Sequence, residues 1–262
     1  MGSSGKLALG IDVGGSGIKG APVDLGTGEF AADRIRIVTP QPATPHAVCG
    51  VIAEIAGRFA DLCHHGPLGV TIPGVVSHGV VRSAANIDPS WIGFDAEQYL
   101  TDLLDRPVTV VNDADAAGVA EVRFGGSEPV EGLAILTTLG TGIGSALLVD
   151  GRLVPNSELG HLQIDGHDAE SRAAQSARER EQLSWVEWAA RLQRYYTTVE
   201  DLLWPDLFIV GGGVSKQADE FLPLLDIRTP IRPATLRNKA GIIGAAFLAG
   251  RVAKRAKKHP RH

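Results

Sequence analysis

Two cysteines in 262 residues are too few for a disulfide scaffold, and the spacing of Cys49 and Cys63 matches no metal-binding motif. Both fall in what reads as one helix, so thiols in a reducing, cytoplasmic compartment are expected. No apolar run is long enough to span a bilayer. The opening residues MGSSGKLALG lack the charged, apolar and cleavage regions of a secretory signal, so no membrane role is expected. Basic charge is not in excess either. The formal net charge of −5 gives no general attraction to nucleic acid, and Lys254, Arg255, Lys257, Lys258 and Arg261 read as a solvated C-terminal tail. Two common nucleotide signatures are also missing: the Walker pattern, and a glycine-rich turn that opens a helix. What remains, 44% hydrophobic and 21% charged, is an ordinary globular composition with length for one large domain or two lobes.

What the chain does have is glycine in clusters. Leu7 to Ile11 reads as a strand, DVGGSGIKG follows from Asp12 to Gly20, and Ile18 to Asp24 reads as a second strand. A turn left bare by Gly14, Gly15 and Gly17 lets backbone N–H groups approach an anion closely. Ser16 adds a hydroxyl and Lys19 a charge, while Asp12 is placed to hold Mg²⁺, usually through water. The plainer alternative is an ordinary glycine-rich hairpin. The second half repeats the pattern: a strand from Leu133 to Leu139 that includes Thr138, the run Gly140, Thr141, Gly142, Ile143, Gly144, and a strand from Ser145 to Val149. Such duplication marks two lobes that hold a phosphate donor. A third glycine run, Gly211, Gly212 and Gly213, follows the strand Leu207 to Val210 and is suited to a nucleotide base or ribose.

The chemistry-bearing candidates lie between these loops. PVTVVNDADAAG, from Pro107 to Gly118, reads as a buried β-branched strand ending in Asn112 and Asp113, then a helix with Asp113 or Asp115 as its cap. A carboxylate at the carboxyl end of a buried parallel strand sits where open α/β folds place ligands. Asp113 there is suited to take a proton from a substrate hydroxyl; the alternative is that it only caps the helix. Asn86, in a loop beside Trp91, offers a donor and an acceptor for sugar hydroxyls or else simply forms a turn. Trp91 is placed to wall a pocket. Glu158 and His161, in ELGHLQIDGHDAE, can grip adjacent hydroxyls, unless the histidine is structural. Val48, Ile52, Ile55, Phe59 and Leu62 form the core face of a helix begun by Thr44 and Pro45. Strands near Phe30 to Val38 and Leu68 to Ile72, a hairpin around Val75 to Val81, and helices Asp95 to Leu104, Ser184 to Val199 and Gly241 to Ala253 complete the expected elements.

In order along the chain, DVGGSGIKG, the Pro73–Gly74 loop, NDADAAG, LGTGIGS, ELGH and IVGGGVS resemble the sugar kinases of the ROK family. TPQPATP, SAANIDPSW and WPDLFIVGGGVS extend the likeness to the polyphosphate glucokinases within it, from about Leu7 to Ala253. The resemblance implies an α/β, actin-like ATPase (hexokinase-type) fold: two lobes with duplicated β-sheet cores and an inter-lobe cleft. A small lobe over 1–114 would carry the first phosphate loop, with a C-terminal helix of about 241–255 packed back on it, and a large lobe over 115–240 the second. It implies a cytoplasmic homodimer that phosphorylates glucose at the 6-hydroxyl with Mg²⁺, using polyphosphate with or without ATP. Asp113 resembles the catalytic base; Gly74, Asn86, Asn112, Glu158, His161 and Glu170 the sugar-binding groups; and Asp12 to Gly17 and Gly140 to Gly144 the two phosphate loops, with Lys19, Thr138, Gly211, Gly212 and Gly213 beside them. Relatives commonly hold zinc through the histidine of the GH motif and a CxCGxxGC cluster. Here Asp168 to Gln175 stands in place of the cysteines, so no zinc is expected, and what braces His161 is left open. Two alternatives stand beside this expectation: an ATP-only hexose kinase, and a sugar-sensing regulator, which would need a DNA-binding segment where only about ten residues precede the first loop.

Overall fold

A computed structural model describes residues 7–63, 66–84, 87–126 and 130–258. Chain contacts divide it into two compact units, Met1–Ala120 with Lys239–His262, and Glu121–Asn238. The first unit is the larger of the two. The division after Ala120 falls within the helix that starts at Asp113 and runs to Phe124.

The first unit is organised on a hairpin, β1 (Leu7–Gly14) and β2 (Gly17–Asp24), with β3 (Ile35–Ile37) on its open edge. The third strand is shorter than expected: Phe30 makes only an isolated bridge to Val23. α1 (Pro45–Arg58) and α2 (Ala60–Cys63) are separate helices, so Cys49 and Cys63 do not share one. The turn at Phe59 rotates Leu62 out to half exposure, while Val48, Ile52, Ile55 and Phe59 are buried as expected. Then come β4 (Leu68–Ile72), the ribbon β5 (Val76–Ser77) and β6 (Val80–Val81), α3 (Ala96–Leu104) capped by Asp95, β7 (Val108–Asn112) and α4 (Asp113–Phe124). β1, β4 and β7 run parallel, giving the order β3-β2-β1-β4-β7. β4 is buried at every residue, as a strand covered on both faces must be. Trp91 is fully buried and its indole N–H donates to the Ala43 carbonyl at 2.8 Å. It is part of the core and does not wall a pocket.

The second unit repeats the plan. β8 (Leu133–Leu139) and β9 (Ile143–Val149) form its hairpin, β10 (Arg152–Val154) its antiparallel edge, and the ribbon β11 (Gln163–Ile164) and β12 (His167–Asp168) leads into α5 (Ala169–Ala173) and α6 (Gln175–Arg180). α7 (Trp185–Leu203) begins with a reciprocal cap between Ser184 and Glu187 and buries Trp188, Leu192, Tyr195, Tyr196 and Val199. β13 (Leu207–Gly211) and β14 (Ile231–Pro233) run parallel to β8, so the order β10-β9-β8-β13-β14 matches the first sheet position by position. The last helix, α8 (Ala240–Lys258), returns to the first unit and lies on β1 and β4. It comes so near that a Cβ on Gly69 would collide with the Ala245 carbonyl. Lys254, Arg255 and Lys258 lie in this helix rather than in a tail, while Arg261 lies outside the described residues. No helix among the described residues is long and apolar enough to cross a membrane.

Candidate active site

Residues directly opposite one another on neighbouring strands share a face. The register of the first sheet aligns Thr71, Asp12, Lys19 and Arg36 across four strands. Contacts follow the row: Thr71 Oγ1 donates to Asp12 Oδ1 at 2.9 Å, and Lys19 Nζ stands 3.7 Å from Asp12 Oδ2. A Cβ on Gly241 would lie 2.7 Å from Asp12 Oδ1, so the start of α8 borders the same carboxylate. The hairpin closes tightly. Gly14 pairs with Gly17, leaving only Gly15 and Ser16 as the loop. Thr39 Oγ1 donates to the Gly14 carbonyl at 2.5 Å, and Arg36 Nη2 to the Ser16 carbonyl at 2.9 Å.

At the other side of this sheet, β7 delivers Asn112 and Asp113. Asn112 is only 6% exposed. Its Oδ1 accepts from the Asp115 N–H at 3.0 Å, and its Nδ2 donates to the Gly74 carbonyl at 3.1 Å. Asn112 is therefore the cap of α4, not Asp113 or Asp115, and it ties the helix start to the predicted sugar-side residue Gly74. One N–H and one lone pair of its amide are left over for a ligand. Asp113 is the first helical residue and half-buried, with Oδ1 accepting from the Ala114 N–H at 2.8 Å. The positive end of the helix favours a carboxylate here. Asn86 lies outside the described residues.

The second unit gathers Glu158, His161 and Glu170 with its glycine loop. Gly144 belongs to β9, which begins at Ile143 rather than Ser145, so Gly140, Thr141 and Gly142 alone form the turn. Glu170 Oε2 accepts from the Ile143 N–H at 2.9 Å, and a side chain on Gly142 would collide with that carboxylate. The loop is also held by Ser176, whose N–H donates to the Gly140 carbonyl and whose Oγ donates to the Thr141 carbonyl. Glu158 precedes a short helical turn, Leu159–His161, anchored where the Leu159 N–H donates to Ser145 Oγ at 2.9 Å. His161 Nδ1 lies 2.9 Å from Asp168 Oδ2 and 4.0 Å from Glu170 Oε1, and its Nε2 lies 3.9 Å from Glu158 Oε2. The hydrogen bond to Asp168 holds the His161 imidazole above its ordinary pKa; burial opposes this, and the charges of Glu170, Asp168 and Glu158 add to it. Burial pushes the Glu158 carboxyl up, with His161 opposing and Glu170 adding. Among the described residues, His161, Asp168 and Glu170 place ligand-type atoms within 4.8 Å of one another. The trio has no thiolate and falls one short of the four ligands of a structural zinc site.

The third glycine run splits between elements. Gly211 ends β13, Gly212 takes a left-handed φ of 85°, and Gly213 opens a short helical segment reaching Glu220 that exposes Lys216. Its carbonyl at Gly212 accepts from Ser215 Oγ at 2.8 Å. Thr138 lies on β8 opposite Gly144. Three residues went unnoticed in the sequence: Thr71, Arg36 and the bracing role of Asp168. The Ile-Arg-Ile alternation of β3 was the available signal for Arg36, but only the strand register brings it to the loop.

The ROK family model matches residues 8–173. The chain is 54% identical over 243 residues to a polyphosphate glucokinase of Mycobacterium tuberculosis (strain CDC 1551 / Oshkosh), covering 92% of this chain and 91% of the relative. The crystal structure of an inorganic polyphosphate/ATP-glucomannokinase from Arthrobacter sp. strain KM matches with 54% identity and a TM-score of 0.88, covering 97% of this chain and 99% of that one. A ROK family glucokinase from Streptomyces griseus, solved with glucose and AMPPNP, matches with a TM-score of 0.80 at 23% identity over 94% and 99% of the two chains, a likeness of fold alone.

Proposed function

Because this chain belongs to the ROK family, we propose that it is a kinase of the actin-like ATPase fold that moves a phosphoryl group from inorganic polyphosphate to the 6-hydroxyl of glucose. The observation that carries the donor is the 54% identity to a polyphosphate glucokinase over nearly the whole of both chains. Support from the geometry is the duplicated hairpin, which twice presents short, bare glycine backbone of the kind that binds phosphate.

Asp113 accepts the proton of the sugar 6-hydroxyl as its oxygen attacks, and Asn112 with Gly74 fixes the helix start that carries it. Glu158 and His161 grip neighbouring sugar hydroxyls. Asp168 orients the His161 ring through Nδ1 and leaves Nε2 toward Glu158 and the sugar. Glu170, bonded to Ile143, ties the sugar-binding group to the second loop. Positioning and fixed donors supply most of the rate in phosphoryl transfer. Asp12 fits Mg²⁺: Oδ1 is engaged by Thr71, and among the described residues Oδ2 is paired with the more distant Lys19, as suits an ion that keeps most of its waters. When bound, Mg²⁺ would neutralise charge on the donor phosphates.

One observation favours a broader substrate range. The Arthrobacter enzyme that matches at 54% identity is a polyphosphate/ATP-glucomannokinase, so ATP as second donor and mannose as second sugar are part of the proposal. The buried, unpaired thiols Cys49 and Cys63 fit a reducing cytoplasm, and the family likeness supports a homodimer. Polyphosphate lacks a base or ribose, so a chain of net charge −5 must hold it on local cations, with Lys19, Lys216, Arg237 and Lys239 as candidates. Steady-state assays with glucose or mannose, each donor and rising salt test this. The KM for long polyphosphate should climb with salt more steeply than the KM for ATP, and the Lys216→Gln, Lys239→Gln double variant should lose more polyphosphate than ATP activity. Equal losses with a flat salt response would favour an ATP-only kinase.

A further inference from the structure

Arg36 sits at the centre of the edge strand β3, between the half-buried Ile35 and Ile37. A charged residue on an edge strand often does no more than discourage other strands from pairing. Such a side chain points to solvent. Arg36 is exposed too, but its guanidinium also reaches back over the first glycine loop. Its Nη2 donates to the Ser16 carbonyl at 2.9 Å, and a Cβ on Gly17 would stand 2.6 Å from its Nε and 2.9 Å from its Cζ. The guanidinium thus lies against the bare backbone of Gly17.

Lys19, the direct neighbour of Arg36 across β2, is 3.7 Å from the Asp12 carboxylate, whereas among the described residues no carboxylate pairs with Arg36. Among the described residues one backbone carbonyl engages the guanidinium, through Nη2, and leaves its other N–H donors to an anion. A guanidinium held in this way matches phosphoryl oxygens in a two-pronged geometry that an ammonium cannot reproduce.

We propose that Arg36 is a donor-binding residue that grips phosphoryl oxygens of the polyphosphate chain beside the first loop and so favours polyphosphate over ATP. This rests on the reading of the protein as a polyphosphate-using kinase. Polyphosphate presents equivalent oxygens on every unit, so a cation beside the loop finds a partner however far the chain extends. ATP confines its charge to three phosphates and continues as a nucleoside, which offers a guanidinium no phosphoryl oxygen.

The test is the donor dependence of Arg36→Gln and Arg36→Lys in the full-length protein, with thermal midpoints measured alongside. Arg36→Gln should raise the KM for long-chain polyphosphate by about tenfold and flatten its salt dependence, while the KM for glucose and kcat/KM for ATP stay within about twofold. Arg36→Lys, which keeps the charge but not the fork, should fall between wild type and Arg36→Gln. A mere brace for the hairpin would show as equal losses with both donors, and that result, or an unchanged KM for polyphosphate, would overturn the proposal. If Arg36→Gln does not fold, the donor ratio of Arg36→Lys decides in the same way. Wild-type protein that uses ATP but not polyphosphate would refute the donor reading itself, a result separable from any effect of the variants.

Discussion

The Nδ1 atom of His161 lies 2.9 Å from the Oδ2 atom of Asp168, which stands seven residues later on the second strand of a two-strand ribbon. A carboxylate on Nδ1 fixes both the orientation of the ring and the site of its proton. Asp168 also accepts from the Glu170 N–H at 3.2 Å as the cap of α5. One side chain thereby orders two of the predicted sugar-binding groups. In this chain the Asp168 carboxylate braces the histidine of the GH motif.

The titration of His161 follows from that contact. Asp168, Glu170 and Glu158 all face the ring and favour its protonated form, and Asp168 contributes most. NMR titration should place the wild-type His161 pKa above the ordinary value of about 6.5, and Asp168→Asn should lower it. A raised folded-state pKa stabilises the protein fully below the unfolded value, and the contribution fades as pH rises through the folded one. At half exposure it is small. An unchanged titration in Asp168→Asn would separate the two residues functionally.

Replacing Asp113 with asparagine keeps the shape of the side chain and removes its basic oxygen. Turnover should fall by about 10²–10⁴-fold, the usual contribution of a general base, while glucose binding by calorimetry persists. A kcat near the wild-type value would remove Asp113 from the catalytic role.

Glu158→Gln and His161→Ala should act on the sugar. Each lost partner to a hydroxyl costs about 1–3 kcal/mol, read as a higher KM for glucose with the KM for polyphosphate little changed. Elemental analysis of the purified protein should find no stoichiometric zinc, because His161, Asp168 and Glu170 supply neither sulfur nor a fourth ligand. Unchanged glucose kinetics in both variants would place the sugar elsewhere.

Asn112→Ala should cost stability before it costs chemistry. It removes the helix cap on Asp115, worth about 1 kcal/mol, and the link to Gly74. In a unit of this size each kcal/mol lowers the melting temperature by about 2–4 °C. A thermal midpoint at the wild-type value would mean that another group caps α4.

The two hairpins and the helices α7 and α8 were legible in the sequence because each is a local pattern of glycine, alternation or helical spacing. Relationships set by register were not. Nothing local says that Arg36 faces Lys19, or that a ribbon folds Asp168 back onto His161. The NDAD run offered several capping residues, and only the hydrogen bonds single out Asn112. Leu62 misled because the apolar period continues through Phe59, where the chain turns; Gly57, in the last turn of α1, was the available signal. Trp91 misled because a large aromatic in a loop suggests a pocket wall, whereas its N–H is satisfied inside the core.

The central claim is that phosphate passes from polyphosphate to glucose without a nucleotide. Phosphorus NMR of the nucleotide-free protein with Mg²⁺, glucose and long-chain polyphosphate tests it most directly. The account predicts that glucose 6-phosphate appears while the polyphosphate shortens by an equal number of phosphoryl groups. Absence of glucose 6-phosphate under these conditions, with full activity restored by ATP, would contradict it.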